Sequence, residues 1–287
     1  MSTDYTVIFE LELQAEMIRK RVIEIIFSSK SGHIGGGLSS VEIETALYFN
    51  IMKIDPKKPK TVNRDRFILS KGHCVETLYA VLAAAGFIED SMLNTYGHFN
   101  SKLAGHPTIK IPGIELNSGA LGHGLSFGVG LAIAAKMDKK HFRTYVLMGD
   151  GEQGEGSIYE AAMSASHYKL DNLVAIIDRN QLQISGKTED IMALEPIRER
   201  WEAFGWEVLD VDGNNMEAVI AVFKSLNHGN TKPKLIIAHT TKACGVSFME
   251  KIAKWHHGVP NKEQYKEAIA EIDERIKSLT DKNYEYR

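Results

Sequence analysis

Four short stretches of this sequence are apolar from end to end: Phe67-Ile68-Leu69, Tyr145-Val146-Leu147-Met148, Leu173-Val174-Ala175-Ile176-Ile177 and Leu235-Ile236-Ile237-Ala238. A strand with one wet face alternates apolar and polar residues, so stretches without a polar position must be covered on both faces. The first runs into Ser70-Lys71-Gly72-His73 and then a helical pattern over 75–85 that stops at Gly86. The second runs into Gly149-Asp150-Gly151 and a helical pattern over 157–168. Val208-Leu209-Asp210-Val211 reads as a further strand between the last two stretches. Strand, glycine turn and helix in repetition predict an α/β fold, a mostly parallel sheet sandwiched by helices.

Upstream, Leu13, Met17, Ile18, Val22, Ile25 and Ile26 recur at helical spacing and predict an amphipathic helix over 10–29. It leads into Ser31-Gly32-His33-Ile34-Gly35-Gly36-Gly37-Leu38-Ser39-Ser40, which reads as a glycine-rich turn whose serines cap a helix beginning near Val41. At the far end Ala268, Ile269, Ile272 and Ile276 mark one amphipathic helix. No repeat or low-complexity segment interrupts this plan. Residues 1–262 are expected to form one domain and 263–287 a charged helical tail.

Charged residues make up 25% of the chain and the net charge is −3, so nothing points to nucleic acid as a partner. No apolar run reaches the roughly eighteen residues of a membrane span. The start, Met1-Ser2-Thr3-Asp4-Tyr5, lacks the basic end and apolar stretch of a secretory signal, so a cytoplasmic protein is expected. Cys74 and Cys244 form no CxxC pair and predict neither a disulfide framework nor a zinc site.

The stretch from Gly149-Asp150-Gly151 to Asn180 carries the most chemistry. A diphosphate needs a hard divalent cation, and Mg²⁺ prefers an octahedral shell of oxygens with only one or two protein carboxylates. Asp150 can supply the carboxylate, Asn180 an amide oxygen and Leu182 a backbone carbonyl, while Gly151 lets the backbone approach a phosphate. Both side chains would follow the carboxyl ends of adjacent strands, where open α/β sheets bind ligands. Gly-Asp-Gly alone is more often a plain turn, and Asn180 alone a loop residue. A Gly-Asp-Gly followed after an apolar strand by an asparagine resembles the motif of thiamine diphosphate enzymes.

Among these, the chain resembles transketolase through Ser31-Gly32-His33-Ile34-Gly35, Ser70-Lys71-Gly72-His73, Gly105-His106-Pro107, Ser118-Gly119-Ala120-Leu121-Gly122-His123-Gly124, the metal motif, and Thr240-Thr241-Lys242 followed by Trp255-His256-His257-Gly258. The resemblance implies thiamine diphosphate with Mg²⁺, or Ca²⁺ or Mn²⁺ in its place. It implies transfer of a two-carbon ketol unit between sugar phosphates, in the pentose phosphate pathway or a more specialised route. It implies that His33, His73, His106 and His256 surround the reacting carbon and the donor sugar, with His73 and His256 near the cofactor. His257 competes with His256 for that place because the histidine is doubled. By the same resemblance Gly119, Ala120 and Leu121 pack against the aminopyrimidine, Gly151 approaches the diphosphate, and Glu155 and Glu160 lie near the interface joining two cofactor sites. His123 stands where full-length members commonly carry glutamine, and Ala243-Cys244 where a glycine and a basic residue are usual.

The family's activating glutamate lies in a separate pyrimidine-binding domain, for which the segment after Lys242 leaves no room. The resemblance therefore implies a partner polypeptide carrying that domain, in an α₂β₂ assembly, without which this chain is inactive. Three readings compete with this one: an α-type subunit of a 2-oxo acid dehydrogenase, a fragment of 1-deoxyxylulose-phosphate synthase, and a non-catalytic cofactor-binding paralogue.

Overall fold

The four apolar stretches become four adjacent strands of a five-stranded sheet, the first of them at its edge, in a computed structural model that describes residues 3–285. Helix α1 (Thr3–Ser29) leads into α2 (Ile34–Ser39) and α3 (Val41–Ala46), which continues as a π-helical turn to Ile51. Strand β1 (Arg66–Leu69), α4 (Val75–Ala84), α5 (His123–Met137), β2 (Thr144–Gly149), α6 (Gly156–His167) and β3 (Leu173–Arg179) follow. A small hairpin of β4 (Leu182–Gln183) and β5 (Gly186–Lys187) and the helices α7 (Thr188–Ile191) and α8 (Ile197–Ala203) come next. Strand β6 (Glu207–Asp212), α9 (Met216–Ser225), β7 (Lys234–His239) and α10 (Lys262–Glu285) complete the chain. The order across the sheet is β1-β2-β3-β7-β6, and every neighbouring pair is parallel.

The two faces of the sheet divide by parity along each strand. Phe67, Leu69, Tyr145, Leu147, Val174, Ile176, Ile236 and Ala238 join one hydrophobic cluster with α1, α3, α4 and α9. Ile68, Val146, Met148, Leu173, Ala175, Ile177, Leu235 and Ile237 join the other with α5, α6 and α8. Period-2 geometry thus explains why the central positions of these strands are all apolar, the buried polar residues Thr144, Asp178 and Lys234 falling at strand ends. The α/β class and the parallel sheet are as the sequence predicts. Helix α10 also belongs to the first cluster, since Ala268 and Ile272 are fully buried and Tyr265 stacks on Phe27 of α1 at 4.1 Å.

Two expectations are corrected. The segment read as a glycine-rich turn is helix α2, and its serines do not cap α3 through their side chains. Glycine disfavours a helix by about 1 kcal/mol per residue, yet here neighbours leave no room for any side chain. A Cβ on Gly35 would sit 2.5 Å from the Trp255 carbonyl, one on Gly36 2.5 Å from Cys74 Sγ, and one on Gly37 3.0 Å from Thr77 Oγ1. Ser39 instead donates to Asp178 at 2.6 Å, and Ser40 donates to Glu44 at 3.0 Å. Helix α5 is the element that periodicity does not announce. Its Gly128 lies against the sheet, where a Cβ would be 2.6 Å from Val146 Cγ2, so glycine occupies a position an apolar residue would otherwise mark. Among the described residues no helix is long and apolar enough to cross a membrane.

Candidate functional site

Strands β2 and β3 run side by side with Gly149 opposite Asp178, so Asp150 and Asn180 emerge together at their carboxyl ends. The chain then turns sharply at Gln181, which has φ 65°, a conformation that a non-glycine residue adopts only when its surroundings hold it there. The turn aims the Gln181 N–H at Asp150 Oδ2, 2.6 Å away, while Asp150 Oδ1 accepts from Gly151 N at 2.7 Å. Asn180 donates its amide N–H to Asp178 Oδ2 at 3.1 Å, and its Oδ1 accepts from Leu182 N at 3.2 Å, with a second lone pair left over. Asp150 is buried, and burial followed by repulsion from Asp178 pushes its pKa up to about 6.

These groups line a cavity of about 290 Å³ together with Leu121, Gly151, Leu182, Lys242, His73 and His256. Two ammonium groups that the sequence reading did not single out reach it. Lys71 donates to Asp178 Oδ2 and to the Gly36 carbonyl, both at 2.6 Å, and Lys242 donates to the Leu182 carbonyl at 2.9 Å. Asp178 also accepts from Ser39, from Thr240 and from Asn180. Glu152, likewise unremarked in the sequence, is buried beside the cavity and accepts from Ser70 Oγ, Gly122 N at 2.7 Å and Gly149 N at 3.0 Å. A lysine or carboxylate next to a glycine turn was the available signal for Lys71 and Glu152, but their partners lie far along the chain.

Four imidazoles cluster at the cavity, two of which, His73 and His256, line it. His33 lies 5.0 Å from His73, 5.8 Å from His256 and 4.6 Å from His257 between ring centroids, and His73 stacks on His256 at 5.3 Å. Burial, then mutual repulsion among these rings and the nearby lysines, lowers His33 to about 4, His73 to about 2 and His256 to about 3. All three are therefore neutral near pH 7, each with one donor and one acceptor nitrogen. His256 Nδ1 is buried without a partner, whereas His257 is exposed. His106 is exposed too, close enough to His33 to contribute to lowering its pKa, and packs on Gly119.

Other sequence-selected residues fall elsewhere. Gly119 and Ala120 line an adjoining hollow of about 410 Å³ with His123 and Phe127, while Leu121 faces the main cavity. Glu155 and Glu160 are exposed at the start of α6 and line neither space. Ala243, the departure after Lys242, has φ 59° and no exposed surface, a conformation that favours glycine. Burial pushes the Cys74 thiol up to about 12 and the Cys244 thiol up to about 11, so both remain neutral.

Among the described residues no three His, Cys, Asp or Glu side chains form a metal cluster. Asp150, Asn180 and Leu182 instead offer one carboxylate, one amide and one carbonyl oxygen together, in a wall that also holds the Glu152 and Asp178 carboxylates. That set suits a hard cation that keeps water and phosphate oxygens in its shell. Two buried ammonium groups add positive charge for an anion, and the unpartnered His256 nitrogen faces a site that still wants a hydrogen-bonding ligand. The residues present thus fit a metal-bound diphosphate.

Comparison with known proteins agrees with this chemistry. Residues 11–276 match the family described as transketolase, thiamine diphosphate binding domain. The chain is 63% identical over 95% of its length to an apulose-4-phosphate transketolase subunit from Phocaeicola vulgatus, covering 97% of that protein. It is 48% identical to the protein of the same name from Actinobacillus succinogenes, covering 92% of this chain and 96% of that one. A solved transketolase from Pichia stipitis superposes with a TM-score of 0.85 at 27% identity, over 97% of this chain but 45% of the other. This chain therefore spans a little under half of that transketolase.

Proposed function

The chain belongs to the family of transketolase thiamine diphosphate binding domains, and on that premise we propose that it holds the cofactor in a two-chain transketolase whose ketol donor is apulose 4-phosphate. As one half of a transketolase it is a transferase of sugar metabolism that works with a partner subunit. The reading rests above all on one arrangement: neutral imidazoles gathered over a cavity whose floor combines Asp150, Asn180 and the Leu182 carbonyl.

Thiamine diphosphate supplies, when bound, the carbon nucleophile and electron sink that break and form a carbon–carbon bond beside a carbonyl. Asp150, Asn180 and Leu182 would hold its Mg²⁺, with Gly151, Lys71 and Lys242 meeting the phosphate charge. Gly119, Ala120 and Leu121 would lie along the aminopyrimidine. His73 and His256, neutral and stacked, can take or give a proton at a substrate oxygen, while His33 and His106 at the mouth would orient donor hydroxyls. His257, on the rim beside His33, is the lesser candidate for proton transfer. Glu155 and Glu160, exposed on α6, would face a second copy of the assembly. The partner would bring the pyrimidine-binding domain, in an α₂β₂ complex with the sites between chains. Phosphorylated sugars do not leave the cell unaided, so we place the enzyme in the cytoplasm.

The test is ketol transfer with apulose 4-phosphate or xylulose 5-phosphate as donor and an aldose phosphate as acceptor. It is run with thiamine diphosphate and Mg²⁺ for the chain alone and with its partner. Transfer is expected only in the mixture, faster from apulose 4-phosphate, and lost on Asp150→Ala. Equal or better use of xylulose 5-phosphate would overturn the donor assignment, and activity of the chain alone would overturn the two-chain reading.

A further inference from the structure

A further buried carboxylate lines the cavity beside Asp150, yet its oxygens are bonded to the surrounding wall. Glu152 lies in the turn that follows Asp150, 2% exposed, and all three of its hydrogen bonds go to other parts of the cavity wall. Oε1 accepts from Gly122 N at 2.7 Å and from Ser70 Oγ, and Oε2 accepts from Gly149 N at 3.0 Å. One side chain therefore joins the turn after β2, the turn after β1 and the loop before α5. The packing around it is tight: a Cβ on Gly124 would come within 2.3 Å of Ser70 Oγ, and one on Gly122, at φ 82°, within 2.6 Å of Glu155 Cβ. Ser157 Oγ adds a tether by donating to the Gly122 carbonyl at 3.0 Å.

We propose that Glu152 is a positioning residue that sets the span of the cofactor site, fixing the 119–122 loop at a set distance from the Gly149-Asp150-Gly151 turn. The inference rests on the proposed binding of thiamine diphosphate. A cofactor with two recognised ends needs both halves of its site at the right separation, whereas an anion that touches one half does not. Each half is also built by bonds that do not involve Glu152, since Asp150 accepts from Gly151 and Gln181 and the loop is tied to Ser157. Removing the bridge should leave both halves standing but let their spacing drift.

Glu152→Gln breaks one arm of the bridge whichever way the amide turns, because its N–H₂ end must then face the backbone N–H of either Gly122 or Gly149. In the Mg²⁺-loaded complex with the partner chain, calorimetry should show thiamine diphosphate binding weakened roughly tenfold or more, with inorganic pyrophosphate changed less than about twofold. Glu152→Asp keeps the charge but is one methylene too short to span, and should show the same selective loss. It serves as the second variant if Glu152→Gln does not fold. Equal weakening of both ligands would make Glu152 a mere support of the diphosphate turn and overturn the proposal, as would no weakening of either. Failure of the unaltered complex to bind thiamine diphosphate would instead refute the proposed function itself.

Discussion

Replacing Lys71 by methionine tests whether the floor of the site is held by an ion pair. Lys71 and Asp178 are 2% and 0% exposed at the side chain and lie 2.6 Å apart. Methionine has similar bulk but leaves the Asp178 carboxylate buried without its counter-charge. Removing one partner of such a pair costs about 3–5 kcal/mol, and the bonds from Ser39, Thr240 and Asn180 that remain place the expected loss near the lower end, about 3 kcal/mol. For a chain of this size that corresponds to roughly a 5 °C fall in the unfolding midpoint, measured by circular dichroism. Adding Asp178→Asn removes the stranded charge, so the double variant should recover more than about 1 kcal/mol of the loss. The pH window follows from the two shifts. Burial alone would lower Lys71, but Asp178 outweighs it and the ammonium is pushed up to about 12. Burial alone would raise Asp178, but Lys71 and the hydrogen bonds hold it below its ordinary value of 3.8. The stabilisation is therefore present from about pH 4 to pH 10, lost as pH rises from 10.5 toward 12, and lost again as pH falls below 3.8. A Lys71→Met cost under about 1 kcal/mol, or strictly additive costs in the double variant, would refute this account.

The remaining predictions concern the imidazoles and helix α5. His256→Ala should lower kcat about a hundredfold or more, and His257→Ala less than about tenfold, because His256 lines the cavity against His73 while His257 is exposed; steady-state ketol transfer decides, and reversed magnitudes would move the role to His257. His33, His73 and His256 have depressed pKa values, so the chain should be at full stability above about pH 6.5 and lose it as pH falls toward 4. Melting curves across that range should be flatter for His73→Gln, and an unchanged slope would discount the shift. Gly128→Ala should cost about 1–3 kcal/mol by forcing a methyl toward Val146. Gly130→Ala, with nothing within 4 Å of the added carbon, should instead stabilise by up to about 1 kcal/mol. Unfolding of the two variants side by side checks both.

The sheet was legible because strands covered on both faces must be apolar at every position, and the parity seen along β2, β3 and β7 follows from that alone. The Asp150–Asn180 pair was legible because a ligand site at adjacent strand ends leaves its residues at fixed places after each apolar run. Helices α2 and α5 were not. In both, glycine is selected by contacts with distant residues, so local propensity points away from the helix that packing requires.

The order of residues along the chain thus specifies most of the elements, the parallel pairing of the strands and the oxygens available to a cation. The family resemblance added which histidines to watch, though their convergence within 4.6–5.8 Å of His33 is a property of the folded chain. Folding alone brings Lys71 to Asp178, 107 positions away, and Glu152 to Ser70 across 82. It also selects which of two adjacent histidines faces the cavity. Patterns along a chain record which residues must be buried, whereas the partner of a buried charge is chosen across the fold and leaves no local period to read.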